Sequence, residues 1–246
     1  MWHAMSGNWN LDVTSFGEGK VADLEAAMES GEMTPPEEVL LTSVASNESI
    51  KALEDAIDSR TSAKILRLRS EAEACGIRNG YNKPQSLGSD RWLAILAGAV
   101  HHGVPLVVMD LGTASTLDAV DEDGEHLGGL ILPGPMSMLK ALAGNTAVSF
   151  KTEPDPEGIR RTFGKAQRET QAAIEGGVVT AQTGALRGFL DWFAQELGEG
   201  NSAEIKTVVT GGAAGAILRQ SVCQLTHDPL LIFRGMLLAR FGPGEQ

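Results

Sequence analysis

Short apolar runs alternate with amphipathic stretches along most of this chain of 246 residues. The apolar runs predict strands at about 39–44, 63–68, 106–110, 116–120, 126–132 and 206–210. Apolar positions at helical spacing predict helices after Asn47 and at about 90–102, 135–145, 166–197, 213–221 and 229–240. Asn47 and Ser89 are the expected N-caps of the first two helices. This alternation of strands and helices is typical of an α/β fold.

Tight turns join the strands between 106 and 132, unlike the other strands of the chain. The segment DEDG at 121–124 predicts a hairpin between the second and the third of these strands. Gly211 and Gly212 directly follow the strand at 206–210, where glycine lets the backbone approach a ligand closely. These turns are candidates for a nucleotide site at the strand ends.

Composition and charge exclude several classes of protein. Twenty Lys and Arg against thirty-two Asp and Glu give a net charge of −12, so we expect no nucleic-acid partner. Cys75 and Cys223 lack the spacing of a disulfide framework or a zinc site. No apolar run reaches the roughly 18 residues that span a bilayer, and the N-terminus lacks a secretion signal. We therefore expect a cytoplasmic protein with no membrane contact.

The segment VVMDLGTAST at 107–116 places three chemical groups at one turn. Asp110 supplies a carboxylate at the end of an apolar strand, Gly112 a flexible backbone N–H, and Thr113 a hydroxyl. Carboxylate oxygens hold hard cations and backbone amides receive phosphate oxygens, so the turn suits a phosphate with its metal ion. Taken alone, these residues are equally compatible with a purely structural turn.

Five segments resemble, in order and spacing, those of the type III pantothenate kinase family. They are GIRNGYNKPQSLGSDRWLAILAGA at 76–99, DLGTASTLDAVDEDGEHLGGLILPG at 110–134, NTA at 145–147, ETQAAIEGG at 169–177 and VVTGGAAG at 208–215. The resemblance implies an α/β fold of two related ribonuclease-H-like halves, as in the actin-like ATPase superfamily, here with an incomplete N-terminal half. We expect the halves at 1–103 and 104–246, with the nucleotide in the cleft between them.

The resemblance also implies an activity, transfer of the ATP γ-phosphoryl group to the primary hydroxyl of pantothenate, the first step towards coenzyme A. Asp90 matches the family's catalytic base, and Arg91 matches an arginine that holds the pantothenate carboxylate. Tyr81, Gly88 and Thr170 match further residues of the pantothenate pocket. Each of these except Gly88 also has an ordinary interpretation: a first-turn acid, a surface arginine, a structural tyrosine and a helical threonine.

For the nucleotide, the resemblance implies ATP with Mg²⁺ and a monovalent cation, potassium or ammonium. Asp110 matches the cation position, Thr113 would face an ATP phosphate, and Gly211 and Gly212 would line the adenosine pocket. Mg²⁺ would be held mostly by phosphates and water, because it dehydrates reluctantly. The resemblance also implies a homodimer whose pantothenate pocket lies near the subunit interface.

The beginning of the chain departs from the family pattern. The family opens with a strand carrying Asp-x-Gly-Asn-Thr or Ser and then Lys-Trp, and that loop binds ATP phosphates. Here Met1-Trp2 is followed by AMSGNWNLDV, which has no aspartate at the matching place. We therefore expect that strand to be missing and the N-terminal half to be weakened by unpaired strand edges. Two alternatives stay open: an impaired or truncated homologue with a regulatory binding role, and a sugar kinase of the same superfamily.

Overall fold

The computed structural model describes residues 2–6, 14–19, 36–42, 47–145, 165–198, 205–215 and 224–243. The strands are β1 Trp2–Ser6, β2 Thr14–Gly19, β3 Glu38–Leu41, β4 Lys64–Arg67, β5 Glu73–Ala74, β6 Ile77–Arg78, β7 Leu106–Leu111, β8 Ala114–Val120, β9 His126–Pro133, β10 Lys206–Thr210 and β11 Thr226–His227. The helices are α1 Asn47–Asp58, α2 Ser89–His102, α3 Pro135–Asn145, α4 Thr170–Leu197 and α5 Leu231–Phe241, with a 3₁₀ turn at Pro84–Ser86. The predicted α/β class is confirmed.

A five-stranded sheet in the order β11-β10-β7-β8-β9 forms the centre of the described structure. Strands β7, β8 and β9 are antiparallel neighbours, whereas β10 is parallel to both β7 and β11. Strand β7 is central, and its side chains from Leu106 to Met109 are buried, as a continuous apolar run predicts. The predicted hairpin is confirmed, because Asp121 Oδ1 accepts hydrogen bonds from the N–H groups of Asp123 and Glu125.

Strand register assigns the side chains of this sheet to two faces. Val108 lies opposite Asp118, and Asp110 opposite Thr116, so these side chains share one face with the core against α2 and α5. We call it the α2 face. Met109 and Leu117 belong to the opposite face, which packs against α4 through residues such as Phe189 and Phe193. Two carboxylates of the strands, Asp110 and Asp118, therefore point towards α2.

Helix α2 lies between the sheet and α5, and its residues 91–98 are all buried. Close packing needs small residues: a Cβ at Gly235 of α5 would overlap the backbone of Leu93, and one at Gly98 would crowd Leu106. The expected N-cap at Ser89 is wrong, because the cap is Gly88 and Ser89 begins the helix. The Ser89 hydroxyl bonds to the Thr42 side chain instead of a helix N–H.

The N-terminal strands form two separate pairs among the described residues, with β1 antiparallel to β2 and β3 parallel to β4. An ion pair between Glu38 of β3 and Arg240 of α5, with Nε 2.6 Å from Oε1, fastens β3 to the C-terminal helix. Val39, Leu40 and Leu41 are only half-buried, unlike the buried strand that their sequence predicts. Strand β3 pairs only with β4 within the described residues.

Other boundaries shift slightly from the predictions. Helix α4 begins at Thr170 rather than near 166, and the helix expected at 213–221 lies mostly outside the described residues. The pair β1–β2 and the short strands β5, β6 and β11 were not predicted. The division between residues 103 and 104 stays a prediction. No helix among the described residues is sufficiently long and apolar for a membrane crossing.

Candidate active site

The first turn of α2 presents Asp90 towards the end of β3. Thr42, directly after β3, donates a hydrogen bond from Oγ1 to Asp90 Oδ1 at 2.9 Å. Burial raises the pKa of Asp90, and the hydrogen bond from Thr42 opposes this by stabilising the carboxylate. The net direction is upward, so Asp90 binds a proton more readily than an exposed aspartate.

Arg91 follows Asp90 and lies buried against the α2 face. Its Nε and one terminal nitrogen donate to the two carboxylate oxygens of Asp118 at 2.9 and 2.6 Å, and the other terminal nitrogen donates to Tyr81 Oη at 2.8 Å. Burial alone would lower the pKa of Arg91, but Asp118 and Tyr81 raise it overall. The surface-arginine interpretation is wrong, since Arg91 is only 8% exposed. These three hydrogen bonds use one N–H of each guanidinium nitrogen, and each terminal nitrogen carries a second N–H.

The Asn-Gly-Tyr motif positions Tyr81 beside Arg91. Asn79 accepts a hydrogen bond from the Tyr81 N–H at 3.1 Å and also donates to two backbone carbonyls. Gly80 is required because a Cβ there would overlap the carbonyl oxygen of His126. The Tyr81 ring stacks on the His126 imidazole with centroids 5.9 Å apart. The motif thus places a phenol over the buried arginine.

Sequence reasoning did not include Asp118 or His126 among the site residues. His126 Nε2 lies 2.9 Å from Asp118 Oδ1, and both side chains are buried. Gly129 lies opposite Asp118 on β9, and a Cβ there would collide with Asp118 and with the Arg91 guanidinium. The sequence did contain a signal for Asp118, since it is a carboxylate in the otherwise apolar end of β8. A charge buried in such a strand needs a partner, and that need points to a cation or a hydrogen-bond donor nearby.

Asp110 lies at the end of β7 on the same face. Burial, followed by the charges of Asp90 and Asp118, raises its pKa to about 6. Gly211 adopts a φ of 93° beside it, and a Cβ there would overlap Asp110 Oδ1 and the backbone of Leu111. Glycine is therefore needed at 211 for both its backbone conformation and its size.

The turn that follows Asp110 packs against the turn between β9 and α3. The Thr113 carbonyl accepts hydrogen bonds from the Gly134 N–H at 3.0 Å and from Ser137 Oγ at 2.6 Å. A Cβ at Gly134 would overlap the Gly112 carbonyl, so this close approach also depends on glycine. The Thr113 side chain itself is exposed and free to meet a ligand.

The predicted site residues fall into groups. Asp90, Arg91, Tyr81 and Asp110 converge on the α2 face, where Gly88 caps the helix. Gly211 and Gly212 follow β10 beside Asp110, and a Cβ at Gly212 would meet nothing within 4 Å. Thr170 stands apart: it begins α4, which packs on the opposite face, and it is exposed. In the described part of the chain, no three or more His, Cys, Asp or Glu side chains are grouped to hold a metal.

Comparison with known proteins shows the family to which this chain belongs. The sequence model of a kinase family described as "Type III pantothenate kinase" matches residues 7–191. The chain belongs to the type III pantothenate kinase family.

Individual relatives agree with this. A type III pantothenate kinase of Nitrosococcus oceani is 36% identical over 177 residues, 69% of this chain and 62% of the relative. One from Alkalilimnicola ehrlichii is 34% identical over 200 residues, 78% of this chain and 74% of the relative. The match therefore spans less than two thirds of the first relative's length. A Campylobacter jejuni structure described as a conserved putative Baf family transcriptional activator has the same fold, with a TM-score of 0.56, 20% identity and coverage of 93% and 89%.

Proposed function

We propose that the chain transfers the γ-phosphoryl group of ATP to the primary hydroxyl of pantothenate, in the cytoplasm. One observation carries the proposal: adjacent residues in the first turn of α2, Asp90 and Arg91, provide a carboxylate and a guanidinium beside a second carboxylate, Asp110. A substrate with a hydroxyl at one end and a carboxylate at the other matches such a pair. Family membership supports the same reaction.

In this proposal the carboxylate of Asp90 accepts the hydroxyl proton as the substrate oxygen approaches phosphorus. Its raised pKa suits this work, because the carboxylate of a weaker acid is a stronger base and accepts the proton more readily. Arg91 holds the substrate carboxylate through the second N–H of its terminal nitrogens, while Asp118 and Tyr81 fix the plane of the guanidinium. Gly88 lies at the start of α2 beside this pocket. Thr170 lies on the other side of the sheet in the same chain, so in this proposal it would reach pantothenate from the partner subunit of the homodimer.

The nucleotide binds, in the same proposal, beyond the ends of β7 and β10. Thr113 offers a hydroxyl to a phosphate, and Gly211 and Gly212 let the backbone lie along the adenosine. Mg²⁺ would be bound mainly through the ATP phosphates, and the chemistry it would supply is neutralisation of their negative charge. A potassium or ammonium ion would lie beside Asp110, because this half-buried carboxylate shares its surroundings with Asp90 and Asp118 and a neighbouring cation would stabilise its charge.

The direct test is ATP-dependent formation of phosphopantothenate by the purified chain in a potassium buffer. We expect product with pantothenate and none when a sugar replaces it. A version extended before Met1 by an Asp-x-Gly-Asn-Thr strand is measured in parallel, because that loop would supply further phosphate contacts. Activity in the extended version alone would still support the pantothenate site. Failure of both versions, with no pantothenate binding by calorimetry, would overturn the proposal in favour of a regulatory role.

We also propose the two-half organisation at 1–103 and 104–246. The strands before residue 68 comprise an antiparallel pair followed by a parallel pair, in the same chain order as β8–β9 and β10–β11 of the five-stranded sheet. This repetition supports two related sheets. The counterpart of central β7 is not among the described strands.

The proposed assembly is a homodimer that covers strand β9. This strand lies at the edge of the described sheet, yet Leu127, Leu130 and Ile131 are exposed on it, the last by 65%. An exposed apolar edge is unfavourable unless another surface covers it. We expect Ile131→Lys to weaken self-association at least tenfold in sedimentation velocity, with Thr226→Lys on the opposite edge, β11, as control. Equal sedimentation of both variants and the parent chain would contradict this interface.

A further inference from the structure

The contact of Thr42 with α2 joins two parts of the chain that are far apart in sequence. Thr42 follows the last residue of β3, and its Oγ1 lies 2.9 Å from Asp90 Oδ1 and 2.7 Å from Ser89 Oγ. The Glu38–Arg240 ion pair fastens β3 to α5, and α5 packs on α2. The backbone of β3, which pairs with β4 as far as Leu41, therefore places this hydroxyl.

Counting protons fixes the direction of these hydrogen bonds. A threonine hydroxyl has one hydrogen, and an ionised carboxylate can only accept. When Asp90 is ionised, the Thr42 hydrogen therefore points to Asp90 Oδ1, and the Ser89 hydroxyl in turn donates to Thr42 Oγ1. The two hydroxyls form a short chain that ends on one oxygen of the carboxylate.

We propose that Thr42 is a positioning residue for the base, holding Asp90 Oδ1 so that Oδ2 is the atom that takes the substrate proton. The proposal rests on the proposed kinase function. In the step, the substrate hydroxyl proton moves to Oδ2 while its oxygen bonds to the γ-phosphorus. The bond from that phosphorus to the bridging oxygen breaks, and its electron pair leaves on ADP.

The hydrogen bond also controls how easily Asp90 ionises. Burial favours the neutral acid, and a neutral Asp90 cannot accept the substrate proton. A hydroxyl that donates to the carboxylate opposes this and keeps more of the base ionised at neutral pH. The charge of Asp90 in turn helps to raise the pKa of Asp110 on β7, the carboxylate that faces it from the sheet. Arg91 is the adjacent cation, and its charge is already shared with Asp118.

The test compares Thr42→Val, which keeps the shape but removes the hydroxyl, with Thr42→Ser, which keeps the hydroxyl. For the valine variant we expect kcat to fall about tenfold and the acid limb of the kcat/KM profile to move up by about one pH unit, as loss of a hydrogen bond to a charged group predicts. The KM for pantothenate should change little. Thr42→Ser should restore both values.

A matched control is Thr183→Val on α4, where the hydroxyl bonds only to helix carbonyls and the pH profile should not change. A valine variant with the parent's pH profile, or one that serine does not rescue, would overturn the inference. Carbon-13 NMR titration of the Asp90 carboxyl group tests the same contact without turnover. Its pKa should rise in Thr42→Val even if the parent chain proves inactive, which separates this inference from the kinase proposal.

Discussion

Replacing Asp90 by asparagine is expected to reduce kcat for phosphopantothenate formation by about a hundredfold to ten-thousandfold, the range typical of a lost general base. Asparagine keeps the size of the side chain and can still accept the Thr42 hydrogen bond, but its amide has no useful basicity. The substrate carboxylate should still meet Arg91, so the KM for pantothenate should stay within a few fold. Initial rates at saturating ATP and pantothenate measure the effect.

The control for this experiment is Asp123→Asn in the exposed β8–β9 turn, which removes one carboxylate beyond the end of β8 that pairs with Leu106, away from Asp110. That variant should keep the parent rate. Thermal unfolding should show Asp90→Asn to be at least as stable as the parent, because burial already disfavours the charge of Asp90. If Asp90→Asn kept more than a tenth of the parent kcat with normal folding, another group would have to be the base.

The elements that the sequence predicts well are those whose pattern is long and local. The apolar run at 106–109 and the helical spacing of the Trp92 region each fill a layer of the core, so tertiary packing reinforces the local signal. The two-residue strands β5, β6 and β11 are too short to show any period, and they form only because neighbouring segments hold them. The half-burial of β3 also depends on neighbouring elements. How far a strand is buried is decided by the strands and helices that pack on it, and the local sequence does not specify these.

The candidate site divides in a similar way. Asp90, Arg91 and Tyr81 lie in short motifs, and Gly80 and Gly211 mark places where backbone must approach closely, so motif reading locates them. The partners of these residues were not predictable, because Thr42 contacts Asp90 across 48 positions and Asp118 contacts Arg91 across 27. Register and helix packing choose such pairs. The sequence thus predicts which groups react, and the fold decides which side chains hold them.

Asp110→Asn is expected to stabilise the protein at neutral pH while removing its response to potassium. Asp110 has a pKa of about 6 in the folded chain against the ordinary 3.8. Between these values the folded state holds a proton that the unfolded state has released, so the free energy of unfolding falls as pH rises. Above about pH 6 the folded protein bears the full loss of stability that comes from ionising Asp110. Below about pH 4 both states are protonated and this loss disappears. Asparagine, which carries no charge, should recover about 3 kcal/mol or less at pH 7.5 and almost nothing at pH 4.

Chemical denaturation of the parent and Asp110→Asn at several pH values between 4 and 8 measures this difference, with Asp123→Asn as the matched control. A cation beside Asp110 favours its ionised form and therefore stabilises the folded state that binds it. With Mg²⁺ and ATP present, potassium should raise the parent's melting temperature more than tetramethylammonium does at the same ionic strength. The variant should lose that selective gain, together with potassium stimulation of the rate. If the stability of parent and variant changed in parallel across this pH range, Asp110 would not have the raised pKa on which the prediction rests. If the variant kept the parent's response to potassium, Asp110 would not be part of the cation site.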